Sequence, residues 1–178
     1  MKQFSFLDFP ELKTERLLLR QLNIDDANAI FKLRSNKEIN KLITRKTPKS
    51  TQDAEEFISV CHQEFDKQNR IFWPMQLKET NEVIGTIVYH NISLDENYAE
   101  IGYELNPKFH KKGFMNEAIQ AVVAFGIKTM KLKVIEAFTH QNNIASSALL
   151  EKHNFVFQPE RRDKGFENNR IFKLISNN

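Results

Sequence analysis

The chain has 178 residues, 40% hydrophobic and 28% charged, with 26 Lys and Arg against 23 Asp and Glu. Five Gly and five Pro exclude a fibrous or disordered chain, and 15 Phe imply a packed core. A lone cysteine, Cys61, excludes an internal disulfide or a cysteine-rich metal site and fits a reducing compartment. The length suits one domain over residues 1–178, large enough to bury roughly 70% of its unfolded surface without a staple. The longest apolar run, Ala121 to Ile127, is too short to cross a bilayer. The opening MKQFSFLDFP carries an acid and no small-residue cleavage site. The expectation is a soluble cytoplasmic protein. Its near-balanced charge admits an anionic cofactor, while the dispersed basic residues argue against nucleic acid.

Glu15 to Gln21 reads as a strand, and Asn23 to Asp26 as a capping box with Asp in place of Glu, opening a helix. A polar stretch with Pro48 follows. Ser50 to Asp53 then starts a second helix, whose stripe of Phe57, Val60, Cys61 and Phe65 is interrupted by Glu64. Three strands come next: Ile71 to Lys78, Val83 to His90 and Tyr98 to Leu105. Pro74 makes the first of these an edge or bulged strand. A helix with Ile119, Val122, Val123, Ile127 and Met130 inward is followed by a strand from Val134 to Thr139. Asn143 to Lys152 is helical, and Phe155 to Arg162 with Arg170 to Ile175 reads as a closing hairpin. The order is β-α-α-β-β-β-α-β-α-β-β, a mixed α/β sheet with helices on both faces. A three-strand meander before β-α-β excludes a simple doubly wound fold.

The tract from Glu100 to Ala118 carries the most chemistry. It is a strand, a loop with Lys108, Lys111, Lys112 and Gly113, and a helix start. First-turn amides lack internal partners and sit at the positive end of the helix dipole, so such a loop suits a phosphate. Basic residues before a helix also serve plain solubility, and these residues alone leave both readings open.

Family resemblance adds to this. His110-Lys-Lys-Gly113-Phe-Met115 is similar to the acetyl-CoA loop [RQ]-x-x-G-x-[GA] of the GNAT (Gcn5-related N-acetyltransferase) superfamily, departing at His110 and Met115. Thr14 to Arg20 (TERLLLR) resembles the opening of its ribosomal-protein N-terminal acetyltransferase branch, the RimJ/RimL type. Ile101-Gly-Tyr103, Pro107, Gly113-Phe and Glu117-Ala118 resemble that branch's IGYxLxPxxxGKGxxxEA run. Asn143, Ser146, Leu150, Lys152 and Phe155 follow its NxxSxxxLxKxGF run, with Asn154 for the usual Gly. Together these tracts span residues 14 to 175.

The resemblance implies the acyl-CoA N-acyltransferase fold and transfer of acetyl from acetyl-CoA to a primary amine. The acceptor it implies is the N-terminal α-amine of a ribosomal protein; a polyamine, amino acid or antibiotic is the alternative within the same chemistry. It also implies that Tyr98–Leu105 bulges and splays from the next strand, and that backbone groups at Leu105 hold the pantetheine arm. Amides of His110, Lys111, Lys112, Gly113, Phe114, Met115 and Asn116 would hold the pyrophosphate, Asn116 adding its side chain. Ser146 would protonate or orient the departing thiolate, or bind cofactor only. Asn143 would hold pantetheine or simply cap its helix.

An α-amine with a pKa near 8 is about one-tenth neutral at pH 7, so a modest base suffices. Glu100, which precedes Ile-Gly-Tyr, is the favoured base; Glu104, Glu136 and a purely structural role for each remain open. The five histidines have no metal-ligand spacing on one helix, and no metal is expected. Phe72 and Trp73 line the acceptor groove or pack in the core. Cys61 reads as buried, and Arg161, Arg162 and Lys164 as exposed hairpin charges. A CoA-binding module without turnover is the reading from another class. A homodimer is compatible with the family.

Overall fold

In the computed structural model, which describes residues 5–176, the strands are β1 (Leu12–Lys13), β2 (Leu17–Leu19), β3 (Ile71–Leu77), β4 (Val83–Ser93), β5 (Tyr98–Leu105), β6 (Val134–His140), β7 (Val156–Phe157) and β8 (Asn169–Ile175). The helices are α1 (Ala27–Arg34), α2 (Lys37–Asn40), α3 (Thr51–Asp66), α4 (Phe114–Lys128) and α5 (Ile144–Lys152). All eight strands join one mixed sheet in the order β1-β2-β3-β4-β5-β6-β8-β7. Residues 1–4 of the opening MKQFSFLDFP segment, on which the expectation of no leader partly rests, lie outside the described residues. Within them no helix is long and apolar enough to cross a membrane.

Local signals account for most boundaries. Asn23 accepts from Asp25 N at 2.9 Å, and the Asp26 carboxylate accepts from Asn23 N at 2.9 Å, closing the capping box. Asp26 is also gripped by both terminal nitrogens of Arg20, each at 2.7 Å. Ser50 caps α3 through Asp53 N. Four elements differ from expectation, the first being β1, an added strand whose Leu12 pairs with Leu19. The strand expected over Glu15 to Gln21 narrows to Leu17–Leu19, flanked by the ion pairs of Arg16 and Arg20. The polar stretch contains α2, capped by Asn36 and anchored by buried Ile39. The expected strand from Phe155 to Arg162 shrinks to β7: Pro159 has no N–H to donate, and Arg161 N closes a turn on Gln158 O at 3.1 Å.

Pro74 lies inside the sheet, not at its edge. The pairing of β2 ends at Met75, so no acceptor on that side needs a Pro74 N–H, and the β3–β4 register shifts at Met75/Gln76.

Alternation along the strands divides the core. Trp73, Met75, Ile87, Tyr89, Ile101 and Ala137 join α4 and Leu150 of α5 on one face. Phe72 joins Ile30, Ile58 and Cys61 of α1 and α3 on the other. Trp73 is wholly buried and donates Nε1–H to Pro10 O at 2.7 Å, while Phe72 meets Phe57 edge-on at 5.2 Å. Both aromatics are core, which sets aside their reading as groove residues. Burial pushes the Cys61 thiol up to about 11, so it stays an inert thiol at neutral pH. The Tyr89 hydroxyl donates to Val122 O at 3.1 Å, and a Cβ on Gly126 would stand 2.5 Å from the Tyr89 hydroxyl oxygen. Glycine is what lets α4 come so close to the sheet.

Candidate active site

The site begins where two neighbouring strands stop pairing. Parallel β5 and β6 share only Tyr98↔Val134, Ala99↔Ile135 and Glu100↔Glu136. Beyond Glu100, β5 follows β4 to Leu105 while β6 follows β8 to His140, so the two part. The expected bulge in β5 is not there: register runs unbroken from Glu100 to Leu105, and the irregularity lies between His90 and Ser93 of β4, where Asn91 has φ +49°. Glu100, Gly102 and Glu104 therefore keep one face and Tyr103 the other.

Two adjoining cavities of about 450 and 420 Å3 flank the parting. Tyr103, Asn143 and Ser146 line both. His90, Glu100 and Asp163 line only the larger; Leu105, His110 and Met115 line only the other.

The second cavity leads to the head of α4. Lys111 takes φ +60° and Gly113 φ +82°, turning the chain so that Gly113 caps the helix. The amides of Lys111, Lys112, Gly113, Phe114, Met115 and Asn116 donate to no protein acceptor among the described residues. They gather at the positive end of the α4 dipole, a ready site for a diphosphate. The tracts around Thr14 and Glu117 explain how the loop is held. Glu117 accepts from the Thr14 hydroxyl, from Arg16 N at 2.7 Å and from Arg16 Nε at 2.8 Å. Burial alone would raise the Glu117 pKa, but the bonds from Thr14 and Arg16 outweigh it and hold the carboxyl below its ordinary value. The same guanidinium donates to Lys112 O at 2.9 Å and stacks 4.3 Å over Phe114.

The two departures from the loop pattern have clear places. Met115 is 8% exposed and packs into the core, leaving its amide to the loop. His110, expected to lend its amide to the pyrophosphate, instead donates its backbone N–H to Pro107 O at 3.1 Å, and its Nε2 lies 3.0 Å from Leu105 O. That carbonyl keeps a second lone pair. Asn116 Oδ1 is buried without a partner. The Asn143 carbonyl caps α5 by accepting from Ser146 N at 3.1 Å, which leaves its amide N–H groups without an acceptor among the described residues. Ser146 Oγ is 2.8 Å from the Tyr103 hydroxyl, and burial lifts that phenol to about 12, so it stays protonated at neutral pH.

Three carboxylates near the parting differ in their partners. Glu104 is 7% exposed and bound by Arg45 and by the Thr86 hydroxyl at 3.2 Å. Glu136 is 4% exposed and bound by both terminal nitrogens of Arg161, with Tyr98 OH at 3.2 Å. Glu100 has only neutral hydrogen-bond donors, Asn91 Nδ2 at 3.0 Å and Tyr98 OH at 3.1 Å, with His90 Nδ1 at 3.6 Å from its other oxygen. Arg161, Arg162 and Lys164 are all exposed as expected, and Arg161 is in addition the partner of a buried acid. Sequence reasoning gave no role to Tyr103, Arg45 or His90. Tyr103, within Ile-Gly-Tyr, had a signal. Among the described residues no group of three or more His, Cys, Asp or Glu could hold a metal.

A mixed sheet whose parallel strands part beside a helix-headed amide loop defines an acyltransferase that draws on an acyl-CoA. The acetyltransferase (GNAT) domain family matches residues 16–156, and the chain belongs to that family. It is 34% identical to the uncharacterized N-acetyltransferase YoaA of Bacillus subtilis (strain 168) over 90% of each chain. It also superposes on a putative ribosomal-protein-serine acetyltransferase from Vibrio cholerae, with TM-score 0.81, 21% identity and coverage of 94% of this chain and 98% of that one. RimL, a ribosomal alpha-N-protein acetyltransferase solved with coenzyme A, gives TM-score 0.81 at 16% identity, covering 93% and 98%. The protein is an N-acetyltransferase with acetyl-CoA as co-substrate. The unpartnered loop amides and the Asn143 amide fit the anionic and amide-rich parts of that molecule.

Proposed function

We propose that the enzyme acetylates the N-terminal α-amine of a protein. The observation that carries this reading is the pairing of the three carboxylates. Arg45 and Arg161 pair with Glu104 and Glu136, while Glu100, at the last β5–β6 pair, has no arginine or lysine within ion-pair distance among the described residues. Asp163, which lines the same cavity as Glu100, accepts from Asn169 Nδ2 at 2.7 Å and likewise has no arginine or lysine ion-pair partner among the described residues. A carboxylate without a cationic partner at the parting of the strands suits an acceptor that arrives as an ammonium ion. RimL, of similar fold, is an alpha-N-protein acetyltransferase of a ribosomal protein, which supports this acceptor class and makes ribosomal-protein N-termini the first to test.

In this reading Lys111 to Asn116 hold the pyrophosphate through their amides, and Leu105 and Asn143 hold the pantetheine arm. Glu100 serves the amine. Ser146, with Tyr103 behind it, serves the sulfur that leaves. Acetyl-CoA supplies an activated thioester carbonyl, and the protein's task is to present a neutral amine and protonate the thiolate.

The test is thiol release from acetyl-CoA with a panel of amines: peptides with free or blocked N-termini, a peptide with lysine as its only amine, a polyamine and free amino acids. Turnover confined to free N-termini is expected, with mass spectrometry placing one acetyl group there. Preference for the polyamine, or turnover on a peptide blocked at its N-terminus, would overturn the reading.

A further inference from the structure

His90 is absorbed by nothing described so far, yet it faces the acceptor side of the parting. It pairs with Glu100 across β4 and β5, so both side chains leave the sheet on the same face and line the larger cavity. One Glu100 oxygen accepts from Asn91 and Tyr98, and the other lies 3.6 Å from His90 Nδ1. The carboxylate is therefore occupied on one side, and its remaining oxygen is turned to the imidazole.

The other edge of the ring lies over Gly102. A Cβ there would stand 3.8 Å from His90 Nε2 and 4.0 Å from Cδ2. Gly102 lies beyond the last β5–β6 pair, on the parted stretch. The ring thus reaches from Glu100 towards the open part of the site. Its side chain is 34% exposed and forms no hydrogen bond within the protein among the described residues.

Resting on the reading that Glu100 serves the acceptor amine, we infer that His90 is the proton acceptor itself, taking the ammonium proton at Nε2 while Glu100 orients the ring and balances its charge. One N–H bond of the ammonium breaks and one forms on Nε2; the pair left on the amine nitrogen is the nucleophile. Glu100 becomes a positioning residue through its charge, its remaining oxygen 3.6 Å from Nδ1 attracting the ring as it takes up the proton. Burial lowers the His90 pKa, Glu100 raises it and Arg70 lowers it, with the net direction down. A ring below its ordinary value of about 6.5 is neutral and basic at pH 7. The titratable and charged groups facing it are Glu100 on β5 and Arg70 at the head of β3, with His140 on β6 and Asp163 before β8 lining the same cavity.

The experiment is the pH profile of kcat/KM for the parent, His90→Gln and Glu100→Gln, using the best amine of the panel. The parent is expected to rise along a limb with its midpoint below the ordinary histidine value, and the His90 ring to titrate with it by NMR. In His90→Gln that limb disappears and the rate follows the amine's own titration. For an α-amine the loss is then about tenfold at pH 7, the inverse of its neutral fraction, and closes towards pH 9. A loss of roughly a thousandfold at pH 7 would mean an amine near pKa 10, which overturns the acceptor assignment but leaves His90 as the base. Glu100→Gln should keep the limb and move it further down. Calorimetric affinity for acetyl-CoA should be unchanged in both variants. A loss equal at all pH values, no loss, or a His90 ring titrating apart from the limb would overturn the proposal. If Glu100→Gln removes the limb and His90→Gln does not, the carboxylate acts directly. If neither changes it, both readings fall.

Discussion

Gly113→Val should weaken acetyl-CoA binding about 100-fold by calorimetry. Gly113 sits at φ +82°, where a β-branched residue is strained by about 1–3 kcal/mol. Its new Cβ would also stand 3.3 Å from Arg16 Nη2, the guanidinium that stacks on Phe114 and bonds to Lys112 O. Relief of either stress turns the chain at Gly113 and takes the amides of Lys112 to Phe114 out of line. A 100-fold loss corresponds to about 2.7 kcal/mol, a size that two misaligned charge-assisted hydrogen bonds supply. The core of α4 is untouched, so the variant should stay folded by circular dichroism. Affinity within threefold of the parent would mean that the pyrophosphate rests elsewhere.

Ser146→Ala should lower kcat about 100-fold while leaving the acetyl-CoA dissociation constant within threefold, the range expected for loss of a general acid. Ser146 is at the junction of the two cavities and 2.8 Å from the Tyr103 hydroxyl. A serine hydroxyl gives up its proton only as the thiolate departs, and Tyr103, held protonated by burial, can resupply it. Tyr103→Phe should therefore cost less, about tenfold, because Ser146 still reaches the sulfur. The split between kcat and affinity separates this role from simple cofactor contact. A rise in the dissociation constant with kcat preserved would assign Ser146 to binding alone. Steady-state kinetics at saturating acceptor, beside calorimetry, decides between them.

Much of this architecture was legible because its signals are local. The capping box at Asn23, the cap at Ser50, the turn at Gly113 and the cap at Asn143 each depend on residues within four positions of one another. The resemblance around Thr14 and Glu117 located two tracts, but only the fold shows that they form one clamp across 103 residues. The choice among three acids was not legible for the same reason. Arg45 reaches Glu104 across 59 residues, and Arg161 reaches Glu136 across 25. Alternation shows which strand residues share a face, but not which face lies beneath a helix. Phe72 and Trp73 could thus be read as groove residues until α3 and α4 were seen to cover them. The brevity of β7 was foreshadowed by Pro159, whose missing N–H is visible in the sequence.

The central claim is that acetyl-CoA lies along the parting of β5 and β6 with its diphosphate on the head of α4. Amide chemical-shift mapping during titration with acetyl-CoA tests it most directly, because every donor assigned to the diphosphate is a backbone N–H. The account predicts that the largest shifts fall on Lys111 to Asn116, with Leu105, the Asn143 side chain and Ser146 following at the same saturation. Saturable binding that leaves the amides of Lys111 to Asn116 unmoved would contradict it.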